Sequence, residues 1–415
     1  MEDRIKDSDQ KKNGFLSVFS TLPKGVCATS LFGLFLGMST TMIYSQFSLF
    51  LTHEMGASAS KVTIFDGLVE CLSFVVRIFS GCISDFLKER KLILYAGCFI
   101  TLIARIFIST STSWTGIVLA QSSERMGNGI QATPRDALIA DLSPQHLRAR
   151  SFGFSRSMKT VGALSGTLIA VLIMHLTNAN YRFVFACAVV PVVVAIICLS
   201  SVKTPREISG KNNDVNIKPE NPFKKKYLKS LDENFWKLLL LALIFEMGHF
   251  TEHMFPIYTN RFLSVGLSGT VSSFVSIGQV LMSFPIGILA DKYGKKKLIA
   301  VCMICMIAAD VFFISAPSVG IPIINIYAGA FLWGGQMTAI QGLFLSLISE
   351  RVDSHLKATA MGVYFLMLGV GYLTASALAG LIWDHWGSSF AFLYSMFFSF
   401  MALILSKTLL IESAR

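Results

Sequence analysis

The segment GILADKYGKKK, residues 287–297, stands between two long apolar runs, and so does GCISDFLKERK, residues 81–91. Each segment has a glycine, an aspartate four residues later and a cluster of Lys and Arg. An apolar run of about 20 residues is long enough to cross the hydrocarbon core of a bilayer as a helix. The two segments are therefore predicted to be short polar loops that join membrane-spanning helices.

The same reading along the 415 residues predicts an all-α, polytopic membrane protein with twelve transmembrane helices. Only 15% of the residues are charged and 53% are hydrophobic, whereas about 25% are charged in a typical soluble protein. The predicted spans are residues 26–51, 62–84, 92–110, 115–140, 150–175, 182–202, 236–262, 270–290, 298–316, 321–348, 359–382 and 389–410.

The distribution of Lys and Arg predicts the orientation of these spans. With the N-terminus in the cytoplasm, 27 of the 36 basic residues lie in cytoplasmic segments, and 3 lie in outer segments. This bias fits the positive-inside rule with both termini in the cytoplasm, and we expect the cell inner membrane. It also accounts for the net charge of +11 without nucleic acid as a partner. The expected partners are the lipid bilayer and a small-molecule solute.

The chain repeats itself once. Besides the two loops above, HLRARSFG at residues 146–153 matches HLKATAMG at residues 355–362. The predicted domains are a six-helix bundle over residues 1–202, a polar cytoplasmic linker over residues 203–235 and a second six-helix bundle over residues 236–415. Two such bundles can rock around a site between them, and we expect a monomer to hold the whole pathway.

The paired G-x-x-x-D loops, followed by Lys or Arg, resemble the loop signature of the major facilitator superfamily. RMGNGIQA at residues 125–132 resembles the R-x-x-x-G-x-x-x-A element of its fourth helix, with Ala132 one position earlier than in that pattern. The resemblance implies the twelve-helix fold in two bundles, and solute transport by alternating access. It also implies that helices 1, 2, 4, 5, 7, 8, 10 and 11 lie near a central cavity.

Polar residues follow helical spacing in spans two, four and eight. At 100° per residue, positions i, i+4, i+7 and i+11 lie on one face. The stripes are Asp66, Glu70, Ser73 and Arg77; Glu124, Asn128, Gln131 and Arg135; and Ser272, Ser276, Gln279 and Ser283. Charged groups inside a bilayer usually face a water-filled path or each other. Direct handling of solute or protons and mutual neutralisation that holds the bundle both remain open.

All six cations predicted within spans lie in the first half. These are Arg77, Arg105, Arg125, Arg135, Arg156 and Lys159. Asp66, Glu70, Glu124 and Asp136 offset four of them, so the surplus favours an anionic or zwitterionic solute, whose carboxylate or phosphate accepts hydrogen bonds from Arg. Arg105 and Asp310 fall on spans three and nine, which are usually peripheral in this fold, and we expect them to turn inward.

The second half has a different pattern. Glu246, His249 and His253 in span seven follow one helical face, and Gln279 and Gln336 add polar groups in spans eight and ten. His–carboxylate sets titrate near neutral pH and suit proton coupling. A metal site and a structural hydrogen-bonded cluster remain alternatives for span seven. The sequence predicts no cofactor, and the C-x-x-C of Cys302 and Cys305 is interpreted as buried packing.

A set of charged residues near the cytoplasmic ends is expected to form a gate. Aspartates beside helix N-termini and cations can latch the two bundles in one state and release them in another. The predicted gate residues are Asp85, Arg135, Asp136, Asp291 and Lys295.

The predicted function is a secondary active transporter of a small organic solute, coupled to protons. An ATP-driven pump is unsupported because the chain has no G-x-x-x-x-G-K-[ST] loop, and no enzyme motif is present. An exporter of drugs or siderophores and a non-transporting membrane sensor on the same fold are the alternatives.

Overall fold

The computed structural model describes residues 22–87, 89–144, 147–202, 231–318, 320–352 and 357–409. Twelve helical units follow one another along these residues, and no strand occurs among them. They are α1 (Lys24–His53), α2 (Ala59–Leu87), α3 (Arg90–Thr110), α4 (Trp114–Leu142), α5 (Arg148–Leu176), α6a (Tyr181–Cys187), α6b (Val189–Ser200), α7a (Glu233–Glu246), α7b (Met254–Thr259), α8a (Val265–Ser268), α8b (Thr270–Tyr293), α9 (Lys295–Ser315), α10 (Pro322–Arg351), α11 (Lys357–Trp386) and α12 (Ser388–Leu409).

The outer faces of the helices are apolar. Side chains such as Leu119, Leu176 and Phe397 are more than half exposed, which suits contact with lipid. Nine of the helical units are long and apolar enough to cross a membrane. The three others are α2, α4 and the seventh unit, which consists of α7a and α7b. These three units carry most of the buried charged residues described below. The predicted all-α, twelve-helix fold is confirmed.

The two halves of the chain meet mainly where α2 packs on α11 and where α5 packs on α8a and α8b, and α7b also contacts α1 and α2. Phe74 of α2 stacks on Phe365 of α11, with ring centroids 6.1 Å apart. Near His53, the Ser60 N–H donates to an Asp384 carboxylate oxygen at 3.1 Å.

The predicted linker, residues 203–235, lies outside the described residues as far as position 230, and α7a begins at Glu233.

Glycines allow two helix pairs to pack backbone against backbone. In α5, a methyl group on Gly162 or Gly166 would lie 2.0 Å from Leu34 O or 2.1 Å from Met38 O, both on α1. The pair α8b–α10 is packed as tightly at Gly278. The sequence predicts close packing at the α5 glycines, and the structure confirms it.

The seventh helical unit is not continuous. The sequence predicts a single helix over residues 236–262, and this prediction is wrong, because α7a ends at Glu246 and α7b starts at Met254. Pro256 has no N–H to donate to the carbonyl of residue 252. In a continuous helix its ring would also clash with that carbonyl. Gly248 lies in the break, where a methyl group would come 3.0 Å from Ser395 O. Glu246, His249 and His253 therefore do not share one helical face.

Gly166→Ala is expected to lower the stability of the protein, because the added methyl group meets a backbone carbonyl rather than a flexible side chain. Overpacking of this kind costs about 1–3 kcal/mol. Thermal unfolding in detergent measures the change. Gly153→Ala on the same helix is the matched control, since no neighbouring atom lies within 4 Å of that position. Equal stability of the two variants would contradict the packing account.

Candidate functional site

Asp66 is the point at which the two halves meet in the interior. From the second half, Thr251 Oγ1 donates to Asp66 Oδ2 at 2.5 Å, and His253 Nε2 lies 3.1 Å from Asp66 Oδ1. The Tyr372 hydroxyl lies 3.5 Å from Oδ2. Asp66 and His253 are both buried. A carboxylate of α2 is thus held by residues of the α7 break and of α11.

Arg125 of α4 faces the same carboxylate from the first half. Its guanidinium lies 3.1 Å from Glu70 Oε2 and 3.8 Å from Asp66 Oδ1. It also sits over the Tyr44 ring of α1, 4.6 Å from the ring centroid. A cation over an aromatic face is further stabilised where water is scarce. The predicted residues Asp66, Glu70 and Arg125 are therefore brought together in one network.

A second arginine, Arg105, ties α3 to this network. Its side chain is fully buried, and its Nη2 lies 3.0 Å from Glu124 Oε1. Arg105 Nη1 also donates to Ser39 O at 3.0 Å. Arg105 thus turns inward, as the sequence predicts. Glu124 in turn accepts from Asn128 Nδ2 at 2.7 Å, so the predicted residues Glu124 and Asn128 belong to the same network.

Gln131 lies elsewhere, although the stripe on α4 includes it. Its Nε2 donates to Thr101 Oγ1 of α3 at 3.2 Å, and it is almost fully buried. A methyl group on Gly97 of α3 would collide with its side chain. The structure places Gln131 in the α3–α4 packing and does not bring it to Asp66.

Three of the six cations predicted within spans are at least partly exposed and form no ion pair among the described residues. Arg156 and Lys159 of α5 are exposed, and Arg77 of α2 is half-buried. Lys159 lies within electrostatic range of Arg77 and Arg135. Among the described side chains, no carboxylate lies within ion-pair distance of Arg77, Arg156 or Lys159. We call these three cations the basic cluster: Arg77 lies on α2, Lys159 lies on α5, and Arg156 lies one helical turn before Lys159.

Glu246 and His249 form a separate polar cluster within the second half. His249 Nδ1 lies 3.8 Å from Glu246 Oε2. The Gln336 amide donates to His249 Nε2 at 2.7 Å, so the predicted residue Gln336 belongs here. His253 pairs with Asp66 instead, so the metal site considered for Glu246, His249 and His253 is not assembled. Within the described ranges, no three His, Cys, Asp or Glu side chains are grouped to hold a metal.

The predicted gate residues are only partly described. The side chains of Asp85 and Asp291 lie outside the described set. Arg135 pairs with its own neighbour, Asp136, at 3.0 Å. Lys295 donates to the Ser346 hydroxyl of α10. The half-buried Gln279 lies on α8b.

The pattern of charges did not reveal Tyr44, Thr251 or Tyr372, which complete the Asp66 network. These neutral residues lie on α1, in the α7 break and on α11, far apart in sequence. Pro256 and Gly248 were the only available signals, because they indicate that residues near 251 leave the helix and can reach a neighbour.

Glu124→Gln is expected to lower stability strongly, because Arg105 would stay buried without a counter-charge. Removing one partner of a buried ion pair costs about 3–5 kcal/mol. Thermal unfolding in detergent tests this, with Glu54→Gln as the control. Glu54 pairs with Arg182 at 3.3 Å, but both are about one-third exposed, and such pairs contribute about 0–1 kcal/mol. A loss no larger than that of the control would overturn the assignment.

Comparison with known proteins identifies the family of the chain. The chain is 26% identical to an uncharacterised MFS-type transporter of Methanocaldococcus jannaschii over 357 residues, which cover 83% of this chain and 85% of that protein. Crystal structures of the nucleoside transporter NupG and of a D-xylose–proton symporter superpose with TM-scores of 0.71 and 0.70, at 11% and 14% identity. They cover 93% and 92% of this chain, and 98% and 96% of those chains. The profile of the Major Facilitator Superfamily matches residues 29–266 and 253–415. The chain belongs to the Major Facilitator Superfamily of membrane transporters.

Proposed function

We propose that the protein is a secondary active transporter of a small zwitterionic or anionic organic solute and couples its movement to protons. The observation that carries the proposal is the arrangement of charge on the first half. Accessible cations lie on α2 and α5, and a surplus of carboxylates surrounds Asp66. A solute with an anionic group, or with both signs of charge, matches this arrangement.

The basic cluster of Arg77, Arg156 and Lys159 suits the anionic group of the solute. These cations have no carboxylate within ion-pair distance among the described side chains, and α2 and α5 face the second half. Arg presents a fork of donors to a carboxylate or phosphate, and Lys adds a point charge.

The carboxylates suit a cationic group or a proton. Asp66, Glu70, Glu124 and Glu252 surround Arg105, Arg125 and His253. Among the carboxylates paired with Arg105 or Arg125, Glu70 is the most accessible, with 23% of its side chain exposed. It lies between Arg125 and the basic cluster, within electrostatic range of Lys159. A zwitterion would place its ammonium group at Glu70 and its carboxylate at Arg77 and Lys159.

The Asp66–His253 contact is the proposed point of proton coupling. Asp66 faces Arg125 of α4, Tyr44 of α1, Glu70 of its own helix, Tyr372 of α11 and His253 of the α7 break. Separation of the halves removes His253, Thr251 and Tyr372 together. A proton on Asp66 would remove the charge that these three groups stabilise, since a bare carboxylate in a dry interior is costly.

Contacts between the halves at the end of the bundle near His53 favour access of the solute to the interior from the opposite end, where the basic loops lie. The Asn260 amide lies 3.0 Å from His53 Nε2, and Ser60 meets Asp384 at that same end of the bundle. The opposite end carries the Lys- and Arg-rich loops. By the positive-inside rule that end faces the cytoplasm, with both termini there, and the cell inner membrane is the proposed location. One chain holds the whole network, so we propose a functional monomer. Alternating access of this kind serves import or export.

Counterflow in proteoliposomes tests the proposed function. The panel contains amino acids, dicarboxylates, phosphorylated metabolites, sugars and a cationic dye, each with and without a pH gradient. Exchange of a carboxylate- or phosphate-bearing compound, and its accumulation under the pH gradient, is expected. Export of the dye alone, or no exchange of any compound by folded protein, would overturn the proposal.

Asp66→Asn is expected to separate transport from coupling. The amide keeps the shape of the side chain but takes up no proton, so counterflow should persist while accumulation under a pH gradient is lost. Radiolabelled uptake with and without the gradient measures both. Glu54→Gln, at a surface pair, should keep both activities. Full accumulation by Asp66→Asn would refute the coupling role.

Arg77→Gln and Lys159→Gln are expected to raise KM for the solute by roughly tenfold or more, because each removes a charge-assisted contact. Counterflow rates over a range of solute concentrations give KM. Lys61→Gln, which alters an exposed lysine near His53, is the control with no expected change. An unchanged KM in both cluster variants would remove the basic cluster from the pathway.

A further inference from the structure

A group of buried oxygen atoms lies beside the break in the seventh unit, away from the Asp66 network. Asp310 of α9 and Ser395 and Ser399 of α12 are fully buried. Ser395 Oγ donates to Asp310 Oδ2 at 2.8 Å. A methyl group on Gly248 would lie 3.0 Å from Ser395 O and 3.3 Å from Ser399 Oγ. The end of α7a, α9 and α12 therefore converge on these residues.

Asp310 lacks a counter-charge in this group. Its Oδ1 has no hydrogen-bond partner, and neither has Ser399 Oγ. No Lys, Arg or His among the described residues lies within ion-pair distance of Asp310. A buried carboxylate with a single hydroxyl partner is costly, so a proton or a bound cation has to neutralise it.

The backbone of the break approaches Ser395 and Ser399 at Gly248, and it carries carbonyls without a backbone partner. Because α7a stops at Glu246, the carbonyls of Gly248 and His249 receive no hydrogen bond from another backbone N–H in the described ranges. Carbonyls at the C-terminal end of a broken transmembrane helix carry partial negative charge, and such ends coordinate Na⁺ in other transporter folds.

We propose that Asp310, Ser395, Ser399 and the carbonyl oxygens that follow α7a bind a monovalent cation of the sodium type. The donor set contains only oxygen, which suits hard cations. Its single carboxylate balances one positive charge.

A cation at this position would stabilise the break itself. It would join the end of α7a to α9 and α12, and the same break carries Thr251 and His253 to Asp66. Cation binding would thus favour the arrangement in which the two halves meet at Asp66.

Sodium binding to the purified full-length protein, without any solute, tests this site. At pH 8, unfolding temperature and bound ²²Na⁺ are measured in sodium chloride and in choline chloride, each at about 100 mM. We expect sodium to raise the unfolding temperature by several degrees in the wild type. Asp310→Asn should lose the sodium shift and the bound ²²Na⁺.

The matched pair Ser399→Ala and Ser406→Ala keeps the test decisive if Asp310→Asn does not fold. Ser406 is a buried serine on the same helix that bonds only within its own turn. Ser399→Ala should weaken sodium affinity by roughly tenfold, and Ser406→Ala should leave it unchanged. No sodium response in the wild type would show that Asp310 holds a proton instead. Equal sodium affinity in the two serine variants would also overturn the site.

Discussion

An ionised side chain within the hydrocarbon layer has to be neutralised by a neighbour, and this requirement organises the interior of the protein. Arg105 and Glu124 satisfy it inside the first half, through a fully buried ion pair. Asp66 satisfies it only with help from the second half, through Thr251 and His253. The first pair is therefore suited to hold a bundle together, whereas the second contact depends on how the two bundles meet.

The break in the seventh unit makes that contact possible. In a continuous helix, His253 would follow the face that carries Glu246 and His249, and all three would belong to one polar stripe. The break divides them between two sites. Glu246 and His249 stay within the second half beside Gln336, and His253 reaches the first half. Local backbone chemistry, chiefly Pro256 and Gly248, thus determines which carboxylate each histidine meets.

The sequence predicted the architecture well, because the physical requirements of a bilayer act on composition and spacing. The positions of the spans other than the seventh and the glycine packing of α5 followed from apolar runs and small residues. The contacts between residues of different helices did not follow. Helical spacing determines the direction of a side chain around the helix axis but does not identify the helix that it faces. Gln131 shares a stripe with Glu124 yet packs against α3, and helical spacing groups His253 with Glu246 and His249, from which the break separates it. Tyr372 gave no signal, since a neutral residue inside an apolar helix has no distinctive spacing.

The two halves contribute different chemistry, and this asymmetry bears on the proposed coupling. The first half holds fixed charges, with Arg105 and Arg125 set among carboxylates and a basic cluster on α2 and α5. The second half contributes to Asp66 the hydroxyls of Thr251 and Tyr372 and the imidazole of His253. If the halves part near His53, Asp66 loses three neutral or titratable partners at once and keeps only Arg125, which Glu70 already shares. Asp66 would then lack these hydrogen-bonding partners, and in the proposed coupling a proton or the cationic group of a solute would take their place. Charge balance at Asp66 would therefore link the position of the bundles to what is bound between them.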